Sequence, residues 1–145
     1  MSVSRSIFLI GFSGSGKSTV GRALAARLNV PFTDTDELIE QAADQPISSL
    51  LRADDQERFR ALERQVIVEV AADAGGAGVV SLGGGAFEST ENRAVIRDAG
   101  RVVYLRCAVR ELYRRLKDVS DRPLLQVTPR SGESLRAAKL RRIRD

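Results

Sequence analysis

The segment Gly11-Phe12-Ser13-Gly14-Ser15-Gly16-Lys17-Ser18 constrains the fold more than any other part of the chain. It has the spacing G-x-x-x-x-G-K-[ST] and follows the apolar run 7–10, which predicts a short buried strand. The residues after it predict a helix, with one apolar face formed by Val20, Ala23, Leu24 and Leu28. Strand, glycine-rich turn and helix are the context of a phosphate-binding loop, although an incidental glycine-rich turn is the simpler alternative.

Each part of this motif has a physical role at a phosphate. Glycines allow backbone N–H groups to approach phosphate oxygens, and the following helix adds its dipole. Lys17 is predicted to carry its charge to the β- and γ-phosphates, and Ser18 to offer its hydroxyl to Mg²⁺. A dinucleotide site is not indicated, because the spacing G-x-G-x-x-G does not occur in the chain.

Composition narrows the class of protein and of chemistry. The 145 residues predict a single domain, 1–145, that buries about two-thirds of its unfolded surface. No apolar run is long enough to cross a membrane, and the lone Cys107 suits a reducing cytoplasm. The chain has no histidine, so a proton acceptor is expected to be a carboxylate.

The net charge of +4 is distributed unevenly. Residues 1–100 hold 10 basic and 14 acidic side chains, whereas residues 101–145 hold 13 and 5. A basic C-terminal segment can bind nucleic acid, but aromatic residues are scarce and no nucleic-acid motif is present, so we expect no nucleic-acid partner. The basic residues of 101–145 are then interpreted as a solvated face or as contacts to phosphate or carboxylate groups, which arginine binds well.

Two acidic residues follow the second predicted strand, Phe32-Thr33. In an extended segment residues two apart point to the same side, so Asp34 and Asp36 are both expected to face the phosphate crevice. Helix capping by one of them is the alternative, and capping requires only one acid.

Further along, an arginine and a run of glycines are candidates for the other side of the site. Arg60 and Glu63 lie three apart in a predicted helix and can pair on one face, which would aim Arg60 at an anionic substrate. Gly83-Gly84-Gly85 follows a buried strand directly. Because three glycines are entropically unfavourable there, something is expected to approach this backbone closely; a flexible loop is the alternative.

The rest of the sequence predicts a regular alternation of elements. Residues 118–133 contain prolines and mixed charges and are predicted to be a mobile lid carrying Arg122. The further helices are predicted over 47–51, 54–72, 90–98, 109–117 and 134–144, and the further strands over 79–82 and 101–105.

With these motifs in order, the chain resembles the shikimate kinase family over essentially its whole length. The resemblance rests on GFSGSGKSTVGRALA, FTDTDELIE, FRALE, SLGGGA, VVYL and DRPLL. It implies a three-layer α/β/α P-loop kinase fold with a parallel sheet, of which four strands are expected here. A fifth strand and a closing helix are expected beyond Asp145, so the 145 residues are expected to be a partial sequence.

The resemblance also implies a role for individual residues. ATP phosphates would be held by the loop and the adenine contacted by Arg115, while Arg122 would stabilise the transferring phosphate. Asp34 would hold Mg²⁺ with Ser18, and Asp36 would act as the base and anchor the substrate hydroxyls. The remaining contacts are the ATP-binding residues Gly14, Ser15, Gly16, Lys17, Ser18 and Thr19, the shikimate-carboxylate arginines Arg60 and Arg144, and the backbone of Gly84 and Gly85.

This resemblance predicts ATP-dependent phosphorylation of the 3-hydroxyl of shikimate, with Mg²⁺ and a monomeric enzyme. The sequence departs from the family at Asp55 and Gln56, where a Gly-Glu pair is usual, and at Leu51, where an aromatic residue near the substrate pocket is usual. Two alternatives stay open at this point: a related kinase resembling gluconate kinase, and a catalytically inactive nucleotide-binding module.

Overall fold

A computed structural model describes residues 5–52, 55–73, 77–116 and 130–144 of the chain. It contains four strands, β1 to β4, and seven α-helices, α1 to α7, within those ranges. The strands are β1 (Ser6–Ile10), β2 (Phe32–Asp34), β3 (Val79–Ser81) and β4 (Gly100–Tyr104). The helices are α1 (Lys17–Leu28), α2 (Thr35–Ala43), α3 (Ile47–Arg52), α4 (Gln56–Ala72), α5 (Thr90–Ala99), α6 (Val109–Leu116) and α7 (Leu135–Arg144), with a 3₁₀ turn at Ala86–Glu88.

The four strands form one parallel sheet in the order β2-β3-β1-β4. Leu9 and Asp34 both pair with Ser81, and Ile10 pairs with Tyr104. Because the strands are parallel and in close register, their carboxyl ends lie at one edge of the sheet. The loops that leave β1, β2 and β3 therefore meet there.

Helices cover both faces of the sheet, so the predicted three-layer α/β/α arrangement is confirmed. On one face, a cluster of buried residues joins the sheet to α4 and α5; it consists of Phe8, Ile67, Val80, Leu82, Ala86 and Ile96. A second cluster lies among α2, α3 and α4 and consists of Ile39, Leu50, Phe59 and Val66. On the other face a cluster of Leu9, Ala25 and Val79 lies beneath α1.

The predicted apolar face of α1 is wrong in part. Val20 is 44% exposed and Ala23 is exposed, whereas Gly21 and Ala25 are buried. A Cβ on Gly21 would lie 2.5 Å from the Phe32 ring, so α1 packs closely against the sheet at its smallest residue. The 3.6-residue pattern identified the helix but not its buried face, because hydrophobicity does not register a close approach made by glycine.

The remaining boundaries differ from the predicted ones by one or two residues. The predicted lid, 118–133, falls largely on residues 117–129, which lie outside the described residues together with Arg122. The fifth strand expected beyond Asp145 is likewise outside them. None of the helices in the described part of the chain is both long and apolar enough to cross a membrane.

Candidate active site

A cavity of about 840 Å³ lies at the carboxyl edge of the sheet. Its walls come from the loop after β1, from the starts of α1 and α2, from α3 and α4, from the glycines after β3 and from the end of α6. The predicted site residues that line it are Gly14, Gly16, Lys17, Ser18, Thr19, Asp34, Asp36, Arg60, Gly84, Gly85 and Arg115. Residues far apart in the sequence thus share one cavity.

The glycine-rich loop adopts a conformation that its sequence requires. Gly14 and Gly16 have φ angles of 85° and 94°, in the left-handed region that favours glycine. α1 begins at Lys17, and the first-turn residues Lys17, Ser18 and Thr19 line the cavity, so the N-terminus of this helix lies at its wall. Lys17 is only 8% exposed, and its ammonium donates to the carbonyl oxygens of Gly11 and Phe12, at 2.8 and 3.1 Å. The loop and the start of α1 thus place a positive charge and a helix N-terminus at one end of the cavity, an arrangement that suits an anion such as phosphate.

Asp34 joins α1 to α2 through both of its carboxylate oxygens. Oδ2 accepts a 2.6 Å hydrogen bond from the Ser18 hydroxyl, and Oδ1 accepts from the backbone N–H of Asp36 at 3.0 Å. Asp34 is therefore the cap of α2, and it also presents an oxygen beside Ser18. A hydroxyl and a carboxylate suit Mg²⁺, which in phosphate sites takes one or two protein oxygens and completes its shell with water and phosphate.

Asp36 faces the cavity for a different reason from the predicted one. α2 begins at Thr35, so Asp36 lies in the first helical turn and not in an extended segment. Burial, reinforced by the nearby Asp34 charge, raises its pKa to about 6, and Lys17 offsets part of this effect. At neutral pH the carboxylate is therefore mostly ionised and able to accept a proton.

Arg60 and Glu63 form the predicted pair on α4. Arg60 Nη1 lies 2.8 Å from Glu63 Oε1; the Arg60 side chain is 49% exposed and that of Glu63 3%. Burial raises the pKa of Glu63, against the lowering effect of Arg60. The buried carboxylate holds one side of a guanidinium that still faces the cavity, which leaves donors for an anion.

The triple glycine is where two of these side chains approach the backbone. A Cβ on Gly83 would lie 2.8 Å from Asp36 Oδ1, and a Cβ on Gly85 would lie 3.2 Å from the Arg60 guanidinium. The predicted close approach is confirmed. Glycine brings the backbone N–H groups of this loop to the same region as the carboxylate and the guanidinium.

Arg115, near the end of α6, reaches the phosphate-binding loop. Its Nη1 donates to the carbonyl oxygen of Gly14 at 3.1 Å, and its Nε donates to Glu111 at 2.7 Å. The two arginines Arg114 and Arg115 hold the pKa of Glu111 down at about 2. Arg115 is therefore placed beside the glycine-rich loop at the cavity wall, whereas the side chain of Arg144 lies outside the described residues.

Pro46, Ile47, Ser48 and Leu51 form the cavity wall on and before α3, and Glu40 Oε1 accepts from the backbone N–H of Ile47 at 2.9 Å. Leu51 lies where the family resemblance implies an aromatic residue near the substrate pocket, whereas Pro46, Ile47 and Ser48 were not predicted to line the site. Pro46 indicated the start of this helix, but no local pattern indicated that these three residues face the cavity. Across the described residues there is no group of three or more carboxylate or cysteine side chains that could hold a metal alone.

The family model described as shikimate kinase matches residues 13–144. The shikimate kinase of Cereibacter sphaeroides is 41% identical over 133 residues, which are 92% of this chain and 65% of that protein. The shikimate kinase of Geobacter metallireducens is 44% identical over 133 residues, which are 92% of this chain and 73% of that protein. The chain thus spans about two-thirds to three-quarters of the length of these two relatives.

Solved structures give the same result. A shikimate kinase from Acinetobacter baumannii in complex with shikimate is similar with a TM-score of 0.83 and 34% identity, over 96% of this chain and 73% of that one. The shikimate kinase of Aquifex aeolicus gives 0.73 and 32%, over 95% of this chain and 80% of that one. The α/β fold with a parallel sheet, predicted from the sequence, is therefore confirmed.

Proposed function

Because the chain belongs to the shikimate kinase family, we propose that it transfers the γ-phosphoryl group of ATP to the 3-hydroxyl of shikimate. One observation carries the proposal: a phosphate-binding loop, a carboxylate with a raised pKa and an arginine held by a buried glutamate line a single cavity. The first suits ATP, the second a hydroxyl and the third a carboxylate. Shikimate carries both of the latter groups.

At the nucleotide end, the chain provides charge and backbone donors. The N–H groups from Gly14 to Thr19 and the Lys17 ammonium bind the phosphates. All of these residues except Ser15 line the cavity, and Arg115 lines it beside them. Ser18 and Asp34 would hold Mg²⁺, which supplies charge neutralisation at the phosphates. Arg122 lies outside the described residues, and its proposed role, to stabilise the transferring phosphoryl group, follows from the family pattern alone.

At the acceptor end, three groups orient the substrate. Arg60 binds the carboxylate, with Arg144 as a second partner from the family pattern, and the N–H groups of Gly84 and Gly85 contact the ring substituents. Asp36 accepts the proton of the substrate 3-hydroxyl while the oxygen of that hydroxyl forms a bond to the γ-phosphorus of ATP. The bond from that phosphorus to the bridging oxygen breaks, so ADP and shikimate 3-phosphate are the products.

We expect the protein to be a monomer in the cytoplasm.

An ADP-release assay tests this function. Wild-type protein is given Mg²⁺ and ATP with shikimate, with gluconate or with no acceptor, and the product is identified by ³¹P NMR. We expect release that depends on shikimate and a phosphomonoester signal. Equal release with and without shikimate would reject the proposal, and preference for gluconate would favour the related kinase class.

Changing Arg60 to lysine is expected to raise KM for shikimate about 10- to 100-fold, with KM for ATP changed less than about twofold. Lysine keeps the charge but cannot make two parallel hydrogen bonds to a carboxylate, and such bonds to charged groups contribute about 1.5–3 kcal/mol each. Steady-state kinetics with each substrate varied in turn measure both constants.

Arg64→Lys is the matched control, since Arg64 also lies on α4 but pairs with the exposed Glu91 outside the cavity. Its KM for shikimate should equal that of the wild type. An unchanged KM in Arg60→Lys would remove Arg60 from the carboxylate site.

A further inference from the structure

Thr35 lies between Asp34 and Asp36 in the sequence and has neither the metal-binding role proposed for Asp34 nor the base role proposed for Asp36. It is the first residue of α2 and is 1% exposed, so its hydroxyl is shielded from water. A buried hydroxyl requires partners, because leaving it unpaired is unfavourable. The partners of Thr35 belong to the neighbouring strand β3 and the loop after it, at the end of β3 and the start of the glycine loop.

The Thr35 hydroxyl makes two hydrogen bonds to that region. It donates to the carbonyl oxygen of Ser81 at 3.2 Å and accepts from the N–H of Gly83 at 3.2 Å. A threonine hydroxyl has one donor and two acceptor sites, so it can make both bonds together. β2 and β3 already pair up to Asp34 and Ser81, so these bonds extend the link between the strands beyond their ladder.

The second of these bonds fixes the first glycine of the loop. Gly83 donates its N–H to Thr35, and its carbonyl oxygen accepts from the N–H of Ala86 at 3.1 Å. Both of its backbone polar groups are thus occupied inside the protein. The loop's N–H groups facing a substrate are then those of Gly84 and Gly85, which line the cavity.

The adjacent residue in α2 is Asp36, whose Oδ1 would lie 2.8 Å from a Cβ on Gly83. Thr35 and Asp36 are consecutive in the same helical turn, so a bond from Thr35 to the loop also fixes the distance from Asp36 to the loop. We propose that Thr35 is a positioning residue, whose buried hydroxyl sets the separation between the Asp36 carboxylate and the N–H groups of Gly84 and Gly85. The inference rests on the proposed function and deepens it.

The test compares Thr35→Val, which keeps the shape but removes the hydroxyl, with Thr35→Ser, which keeps the hydroxyl. Thr33→Val is the matched control, because Thr33 lies in β2 outside the cavity lining. We expect Thr35→Val to lose about 100-fold in kcat, since a misplacement near 1 Å has effects of this size. KM for shikimate should rise and KM for ATP should change less than twofold, whereas Thr35→Ser and Thr33→Val should stay within about fivefold of the wild type.

Three kinetic outcomes overturn the positioning role. They are an unchanged kcat in Thr35→Val, an equal loss in Thr35→Ser, and a loss in which KM for ATP rises as much as KM for shikimate. The third is the result that a purely structural role gives. If Thr35→Val does not fold, Thr35→Ala replaces it, and the comparison with Thr35→Ser is unchanged.

A second measurement separates this inference from the proposed function. Amide hydrogen exchange by NMR, without substrate, should show Gly83 exchanging at least about 10-fold faster in Thr35→Val than in wild type, with shifted Gly84 and Gly85 signals. Thr35→Ser should resemble wild type. If the wild type lacks shikimate-dependent ADP release, the proposed function fails; identical exchange and signals in Thr35→Val and wild type overturn the inference in either case.

Discussion

Replacing Asp36 with asparagine is expected to lower kcat about 10²- to 10⁴-fold, the range that a positioned acid or base contributes. Asparagine has nearly the same shape, but its amide cannot accept a proton. The substitution therefore keeps the packing at this buried position and removes only the proton acceptor. Initial rates of ADP release at saturating ATP and shikimate measure the effect.

The same substitution is expected to stabilise the fold at neutral pH. The pKa of Asp36 rises from 3.8 to about 6 on folding, and each unit corresponds to about 1.4 kcal/mol. Folding with an ionised Asp36 is thus unfavourable by up to about 3 kcal/mol, which asparagine avoids. Because the folded pKa is the higher one, this loss of stability is absent below about pH 4 and develops as the pH rises to about 6.

Urea unfolding without nucleotide and with EDTA, from pH 4 to 8, measures that difference. The free energy of unfolding of Asp36→Asn should exceed that of the wild type above pH 6 and approach it at pH 4. Asp44→Asn, at the exposed end of α2, is the control for activity and should keep the kcat of the wild type. Full activity in Asp36→Asn would exclude Asp36 as the base.

Replacing Lys17 with methionine is expected to lower kcat about 10²- to 10³-fold, the effect of removing one group that stabilises transition-state charge. Methionine fills much of the same volume, so the loss reports the ammonium. KM for ATP should rise as well, while KM for shikimate should change little, because Lys17 lies at the phosphate end of the cavity.

Lys139→Met provides the control for that experiment. It removes the same charge from α7, and Lys139 does not line the cavity. Its kinetics should match the wild type. Isothermal titration of each variant with ATP separates binding from turnover, and a Lys17→Met enzyme with wild-type kcat and ATP affinity would contradict the assigned role.

The parts of this protein that were predictable from the sequence are those encoded in contiguous residues. The phosphate-binding loop between β1 and α1 is one, since its glycines, lysine and serine are all local. The Arg60–Glu63 pair is another, because helical spacing alone brings the two side chains together. In a parallel sheet the carboxyl ends of the strands lie at one edge, so the residues after β2 and β3, Asp34, Asp36 and Gly83, are expected to lie near one another.

What could not be predicted depends on distant partners. The raised pKa of Asp36 arises first from burial, which no local pattern encodes; its neighbour Asp34 adds to it from two residues away, and Glu63 adds to it from α4. A threonine at a helix start is ordinary, and only the folded chain shows that its hydroxyl meets residues 46 and 48 positions away. The exposed Val20 and buried Gly21 have the same cause, since tight packing of α1 on β2 overrides the apolar pattern.

The two sides of the acceptor cavity differ in how far substitution can alter them. The glycine loop presents backbone, and the space beside Gly83 and Gly85 is already taken by Asp36 and Arg60. The α3 wall presents the side chains of Ile47 and Leu51 instead. Directed evolution toward a bulkier or smaller acid should therefore accumulate its changes on α3, where volume can be exchanged without moving a catalytic group, and leave the glycines untouched.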